Sequence, residues 1–142
     1  MGSRSATELL QLPVTLHGIR LGRPIDLLLD GAEWRALGLV VRCGDEAERF
    51  LATAAAEMRA DALAVVSALL LLEDVDFYRA RSRSLRGVIG GEAARGGREL
   101  GVLRDLVVAP GGAVEALVVE HDDRRRTVAA KGVTVAARVS AA

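Results

Sequence analysis

Apolar residues along this chain occur in short runs separated by turns that contain glycine, proline or aspartate. The clearest case is residues 100–119, where two runs rich in Val and Leu flank Pro110-Gly111-Gly112. Proline fixes φ and glycine accepts positive φ, so this tripeptide predicts a tight turn. Short aliphatic runs between such turns predict strands joined in hairpins, and hence an all-β fold.

The same pattern predicts strands along most of the chain. We expect them at residues 12–16, 20–30, 36–43, 88–94, 99–109, 114–121, 125–129 and 133–139. Pro24 indicates an edge or a bulge within its strand, because proline cannot donate to a strand ladder. Residues 46–58 are rich in helix formers, but comparison with the second half favours a strand at 49–52, a helical turn at 53–58 and a strand at 62–67.

Residues 73–86 interrupt the strand pattern. Asp74 can cap a helix, acidic residues follow it in the first turn, and arginines lie in the later turns. We therefore predict a linker with a short helix at about residues 75–81. The apolar run 62–72 just before it contains little charge and predicts a buried interface between the two halves of the chain.

The two halves share an ordered series of matching residues, which predicts an internal repeat. His17-Gly18 matches Gly96-Gly97, and Leu21-Gly22 matches Leu100-Gly101. Farther along, Asp26-Leu27 matches Asp105-Leu106, and Leu39-Val40-Val41 matches Leu117-Val118-Val119. Glycine inside a strand marks a bulge or bend. The residues assigned to bends and turns are Gly18, Gly22, Asp26, Gly96, Gly97, Gly101, Asp105, Gly111 and Gly112.

This order of a glycine turn, Leu-Gly, an Asp-Leu step, an apolar strand, a glycine turn and a Leu-Val-Val strand resembles the PRC-barrel domain. The resemblance implies a small, strongly bent, mostly antiparallel β-barrel. We expect two such barrels in tandem: a tail at residues 1–11, repeat one at 12–72, the linker at 73–86 and repeat two at 87–142. The first repeat departs from the pattern at Pro24 and at residues 31–35.

The resemblance implies docking rather than catalysis. Similar domains form the cytoplasmic part of the H subunit of photosynthetic reaction centres and the C-terminal half of a ribosome maturation factor. No functional residue can be carried over, because the shared pattern consists of glycines and aliphatic residues. The partner and the oligomeric state stay open, and a homo-oligomer is one alternative.

Composition narrows the classes of function. Nineteen basic and nineteen acidic residues cancel, which argues against a dedicated nucleic-acid binder. The single cysteine, Cys43, excludes an internal disulfide and fits a cytoplasmic location. The N-terminal residues lack the apolar core of a signal peptide, and the run at 62–72 is too short to span a bilayer.

Candidate chemistry is sparse. In the repeat, His121 is the equivalent of Cys43, and equivalent positions of two similar halves can approach each other. Cys43, His121 and Asp123 are therefore candidate metal ligands, although their spacing matches no recognised metal site. The glycines at 90–97 do not form a phosphate-binding motif. We expect Asp26 and Asp105 to accept hydrogen bonds from backbone N–H groups at the bends, or to pair with an arginine such as Arg23 or Arg104. The two aspartates could act as a catalytic acid pair only if a cleft between the repeats brought them together. We predict no catalytic residue, no metal and no cofactor.

The remaining candidates form an interaction surface. Aromatic and arginine residues are typical of protein interfaces, and clustered arginines can also bind RNA. We expect an adaptor that docks on a protein or ribonucleoprotein assembly, and the alternative is an RNA- or ribosome-associated factor. The candidate residues are Trp34, Phe77, Tyr78, Arg79, Arg81, Arg83, Arg124, Arg125 and Arg126.

Overall fold

A computed structural model of the chain describes residues 2–136, which form two sheets and three short helices. The strands are, in chain order, β1 (Arg4–Ser5), β2 (Val14–Leu16), β3 (Ile19–Asp30), β4 (Ala36–Cys43), β5 (Glu48–Ala52), β6 (Glu57–Met58), β7 (Leu63–Val65), β8 (Leu71–Leu72), β9 (Ser82–Ser84), β10 (Glu92–Arg95), β11 (Arg98–Val108), β12 (Val114–His121), β13 (Arg124–Ala129) and β14 (Val133–Val135). The helices are α1 (Ala6–Leu9), α2 (Val75–Arg79) and α3 (Leu85–Val88), and 3₁₀ turns cover Thr53–Ala55 and Ala68–Leu70.

The all-β class is confirmed. The first sheet has the order β6-β7-β2-β3-β4-β5-β8, with β9 on β3, and the second has the order β13-β12-β11-β10-β14, with β1 on β11. All pairs are antiparallel except β2 with β7. Across residues 2–136 the pairing leaves both sheets open, so closure into two barrels stays a prediction.

Most predicted strands are found close to their expected positions. The strand at 36–43 and the strand at 114–121 have the predicted bounds. The stretch at 46–58 forms β5 and a 3₁₀ turn close to the predicted strand and helical turn, but its last two residues form β6 where the helical turn was predicted to continue. The predicted strand at 88–94 is wrong in its first part, because α3 ends at Val88 and β10 begins at Glu92. Residues 137–139 of the last predicted strand lie outside the described residues.

Matching residues of the two halves occupy matching backbone positions. His17 and Gly18 have φ of 50° and 80° in the β2–β3 turn, and Gly96 and Gly97 have φ of 56° and 80° in the β10–β11 turn. The ladder of each long strand shifts at the residue before the aspartate, between Pro24 and Asp26 and between Leu103 and Asp105. These bulges bend both sheets at equivalent points.

The N-terminal segment was predicted as a tail, but it packs into the second sheet. β1 pairs with the far end of β11, and Ala6 and Leu9 of α1 are fully buried. β9, which lies within the predicted linker, pairs in the same way with the far end of β3. Both segments carry the tripeptide Ser-Arg-Ser, and the third residue caps the following helix through its side chain. The second sheet is therefore completed by a strand that precedes the first sheet in sequence, and the first sheet by a strand that lies between the two sheets in sequence.

One apolar core joins the two sheets. Buried side chains of β3 and β4 belong to the same cluster as those of β11 and β12. A smaller cluster of Leu28, Val40, Phe50 and Val75 lies apart from this core. Because β3 and β4 supply side chains to both clusters, each contains a continuous apolar run, at residues 27–29 and 39–41.

Candidate functional site

Trp34 lies where the two sheets meet. Its indole Nε1 donates a hydrogen bond to the Val133 carbonyl oxygen at 2.8 Å, and its own carbonyl accepts one from the Val114 N–H at 3.1 Å. The Arg83 guanidinium lies 4.9 Å from the centre of the Trp34 ring. Through these contacts Trp34 joins the two sheets. The sequence predicts an exposed interaction anchor, but the Trp34 side chain is half-buried.

Arg83 is likewise held by internal contacts. Its Nε donates to the Asp30 carbonyl oxygen at 3.0 Å, beside the pairing of β9 with β3. The Asp30 carboxylate caps the following turn by accepting the N–H groups of Ala32 and Glu33. These two backbone hydrogen bonds lower the pKa of Asp30 from its usual value.

The aromatic pair on α2 divides between core and surface. The α2 helix falls within the predicted range, and the Asp74 carboxylate accepts the Phe77 N–H at 3.3 Å. Tyr78 stacks on Phe50 with ring centroids 3.8 Å apart, and this contact fixes the helix on the first sheet. Phe77 is 45% exposed, and the Arg81 guanidinium lies 3.7 Å from its ring centre. Phe77 with Arg81 is thus an exposed aromatic–arginine pair of the kind that interfaces use.

Arg79 extends from α2 to the first sheet. Its guanidinium lies 3.0 Å from Oε1 of Glu48, whose other oxygen is 3.4 Å from Arg42. The hydrogen bond from Arg79 is the main reason that the pKa of Glu48 is lowered. Arg79 is partly exposed and remains able to contact a partner.

Part of the apolar run that precedes α2 is exposed, which the sequence did not predict. Val66 and Leu69 are 81% and 86% exposed, although the run 62–72 was expected to be buried. Leu63, Val65 and Leu71 from the same run do enter the shared core. An open groove of about 820 Å³ is lined by Leu69, Leu72 and Tyr78 and by the turn after Cys43. We call the exposed residues Leu69, Leu72, Phe77 and Arg81 the α2 surface.

The turn that lines this groove contains a bidentate ion pair between Asp45 and Arg49. Both oxygens of Asp45 accept from the Arg49 guanidinium, at 3.0 and 2.8 Å. The hydrogen bond from Arg49 lowers the pKa of Asp45 to about 2, with a further contribution from the Ala47 N–H.

The second arginine cluster lies on β13, at the edge of the second sheet. Arg125 is 3.6 Å from Glu120, which also pairs with Arg104 at 2.9 Å. Arg126 donates to the Leu100 carbonyl oxygen at 3.4 Å. The structure adds Arg98 to this cluster, since it lines an open groove of about 780 Å³ together with Arg124, Arg125 and Arg126. Sequence reasoning missed Arg98 because it is distant along the chain from the arginines of β13.

The conceivable metal ligands do not form a site. Within residues 2–136, no group of His, Cys, Asp and Glu side chains is arranged to hold a metal ion. Cys43 is buried, with its sulfur 3.9 Å from the Val41 carbonyl oxygen. His121 is exposed, and its Nε2 lies 3.3 Å from the Asp122 carboxylate.

The two matched aspartates have local bonding roles. Asp26 accepts the Leu27 N–H at 2.8 Å, and Asp105 accepts the Leu106 N–H at 2.8 Å. These are the backbone bonds at the bends that the sequence predicts. Arg104, one of the arginines considered as a partner for them, instead pairs with Glu120.

Comparisons with known proteins give no family. No protein-family model matches the chain, and no curated protein matches it significantly. Separately, none of the helices within residues 2–136 has the length and apolar character needed to cross a membrane.

Proposed function

We propose that the chain consists of two PRC-barrel-like repeats, joined through residues 73–86, and acts as a non-catalytic cytoplasmic adaptor that docks on a larger protein assembly. The matched turns and bulges of β3 and β11 support the repeat. Asp26, Asp105, Trp34 and Arg83 form hydrogen bonds to backbone groups of the same chain, which supports a mainly structural role for these side chains.

The observation that carries the docking proposal is the α2 surface. It places the exposed Phe77 ring against the Arg81 guanidinium, beside Tyr78, which lines a groove together with the exposed Leu69 and Leu72. Exposed apolar groups beside arginine are enriched in protein interfaces, where burial of the apolar part favours association. Tyr78 holds this surface in place through its stack on Phe50.

Photo-crosslinking tests the proposal. Benzoylphenylalanine in place of Phe77 keeps the aromatic ring, and the same group in place of the exposed Gln11 serves as the control. In a native lysate we expect position 77, and not position 11, to crosslink to a discrete protein, with no loss after nuclease treatment. Equal crosslinking from both positions, or crosslinks to nucleic acid alone, would contradict the proposal.

The second candidate function is an RNA- or ribosome-associated factor. The observation in its favour is the groove that gathers Arg98 with Arg124, Arg125 and Arg126. Such a cluster can bind phosphates, and high salt should then release the RNA. We rank this function second because, among residues 2–136, His121 is the one aromatic side chain lining the groove that could stack on bases, and no Phe, Tyr or Trp lines it.

A further inference from the structure

The strand β13 lies at an edge of the second sheet. Among residues 2–136 it pairs with β12 alone. All of its residues except Val128 are exposed. An edge strand presents N–H and C=O groups that can bind another extended chain.

The first sheet shows how the equivalent edge is covered. β5 follows β4 as β13 follows β12, and Phe50 lies opposite Val40 as Thr127 lies opposite Val118. The outer side of β5 is paired antiparallel with β8, with Phe50 opposite Leu72. The chain therefore fills this position in one sheet with an extended segment and supplies none from residues 2–136 in the other.

The β12–β13 turn determines which backbone groups of β13 face outward. Asp122 and Asp123 have φ of 50° and 61°, as in a two-residue hairpin turn, and His121 lies opposite Arg124. Hydrogen-bonded and non-hydrogen-bonded pairs alternate along an antiparallel ladder. Counting from the hairpin pair, the N–H and C=O groups of Arg125 and Thr127 point away from β12.

The charge beside this edge favours an acidic partner. Arg98, Arg124, Arg125 and Arg126 line the groove, against two carboxylates there, Glu99 and Asp122. The excess of positive charge complements carboxylate side chains spaced along an extended strand.

We propose that β13 binds an extended acidic peptide segment of a partner protein as an added antiparallel strand, as β8 pairs with β5. This proposal rests on the proposed docking function and assigns it a second surface, distinct from the α2 surface. A peptide fits the observations better than RNA because the outward N–H and C=O groups match a peptide backbone. In addition, the Phe, Tyr and Trp residues of the chain, which stack best on bases, lie elsewhere, at Trp34, Phe50, Phe77 and Tyr78.

Fluorescence anisotropy tests this with the full chain and a labelled octapeptide of alternating Glu and Val. We expect binding that is lost when alternate peptide amides are N-methylated, and no binding of the matching Lys-Val peptide. Thr127→Pro removes one outward N–H and should weaken binding about tenfold or more. Thr127→Ala keeps that N–H and should bind as the natural chain does. If Thr127→Pro does not fold, the N-methylated peptide still tests the backbone pairing.

Charge variants test the second part of the proposal. Arg124→Glu with Arg126→Glu should weaken peptide binding about fivefold or more, whereas Arg20→Glu, on an exposed residue of the first sheet, should have little effect. Equal binding of Glu-Val and Lys-Val peptides would overturn the proposal. Binding of a uridine oligonucleotide in place of the peptide would also overturn it, in favour of RNA.

Two outcomes separate this proposal from the docking function. A dimer that Thr127→Pro converts to a monomer would assign β13 to a second copy of the chain and overturn the peptide proposal. If no peptide binds while position 77 still crosslinks to a discrete protein, the strand-addition proposal fails and the docking function stands. If both experiments fail, both proposals are wrong.

Discussion

The Ser84 hydroxyl donates a hydrogen bond to the Asp26 carboxylate, which ties the start of α3 to the bend in β3. The matched carboxylate, Asp105, accepts the Thr7 N–H at 3.2 Å and so ties α1 to the bend in β11. Each bend is thus bonded to the helix that follows the added strand of its sheet. The repeated aspartates therefore bond the linker segment to the first sheet and the N-terminal segment to the second.

Removing Asp26 should therefore destabilise the fold more than removing Asp105. Asp26 is only 8% exposed, and Asp26→Ala leaves the Leu27 N–H and the Ser84 hydroxyl without this acceptor. We expect a loss of about 2 kcal/mol in the free energy of unfolding, and about 1 kcal/mol for the more exposed Asp105→Ala. Urea denaturation measures both, with the exposed Asp61→Ala as control. Similar small effects for all three variants would show that the bonds to the bends contribute little.

The strand glycines Gly22 and Gly101 should not tolerate a side chain. A Cβ at Gly22 would lie 2.5 Å from the Arg42 carbonyl oxygen, and one at Gly101 would lie 2.5 Å from that of Glu120. Gly101 also has φ of 127°. We expect alanine at either position to cost about 2 kcal/mol or more in thermal or urea unfolding. Gly87→Ala is the matched control: a Cβ there meets nothing within 4 Å, so no loss of stability is expected.

The shared core and the paired added strands predict that both sheets unfold in one transition. Trp34, the single tryptophan, contacts the second sheet through Val133 and reports on the contact between the sheets by its fluorescence. Its transition in urea should coincide with the loss of β-sheet circular dichroism. Trp34→Phe removes the hydrogen bond to Val133 and should lower the free energy of unfolding by about 1 kcal/mol. Two separate transitions would indicate independent halves.

Acid should remove a stabilising contribution from Asp45. Its pKa falls from 3.8 to about 2 on pairing with Arg49, so this contribution is complete above the unfolded-state pKa and is lost as the pH falls through the folded-state value. Asp45→Asn should reduce the change in stability between about pH 4 and pH 2. Urea titrations across this range measure the effect. An unchanged pH dependence would show that the pair forms equally in the unfolded chain.

The sequence predicted what depends on local pattern. The turns at Gly18 and Gly97, the bulge near Pro24 and the β12 strand follow from turn chemistry and from alternating or continuous apolar runs. In the mixed stretch at 46–58, comparison with the second half correctly indicated a strand at 49–52 where helix propensity did not, but it did not indicate β6.

The sequence could not predict contacts between distant segments. Nothing local distinguishes Arg4–Ser5 from a free tail, since its strand partners lie in β11. Arg98 joins the arginines of β13 only through the pairing of β11, β12 and β13. The matching tripeptides Ser3-Arg4-Ser5 and Ser82-Arg83-Ser84 were the one available signal of the added strands.

Amide hydrogen exchange at Thr127 tests the open edge of β13 most directly, with Phe50 as the internal reference. In the free protein we expect the Phe50 N–H, on the edge covered by β8, to exchange slowly and the Thr127 N–H to exchange rapidly. Saturation with the acidic peptide should slow exchange at Thr127 and leave Phe50 unchanged. Equal protection of the two amides in the free protein, or no change at Thr127 when the peptide is bound, would contradict the account.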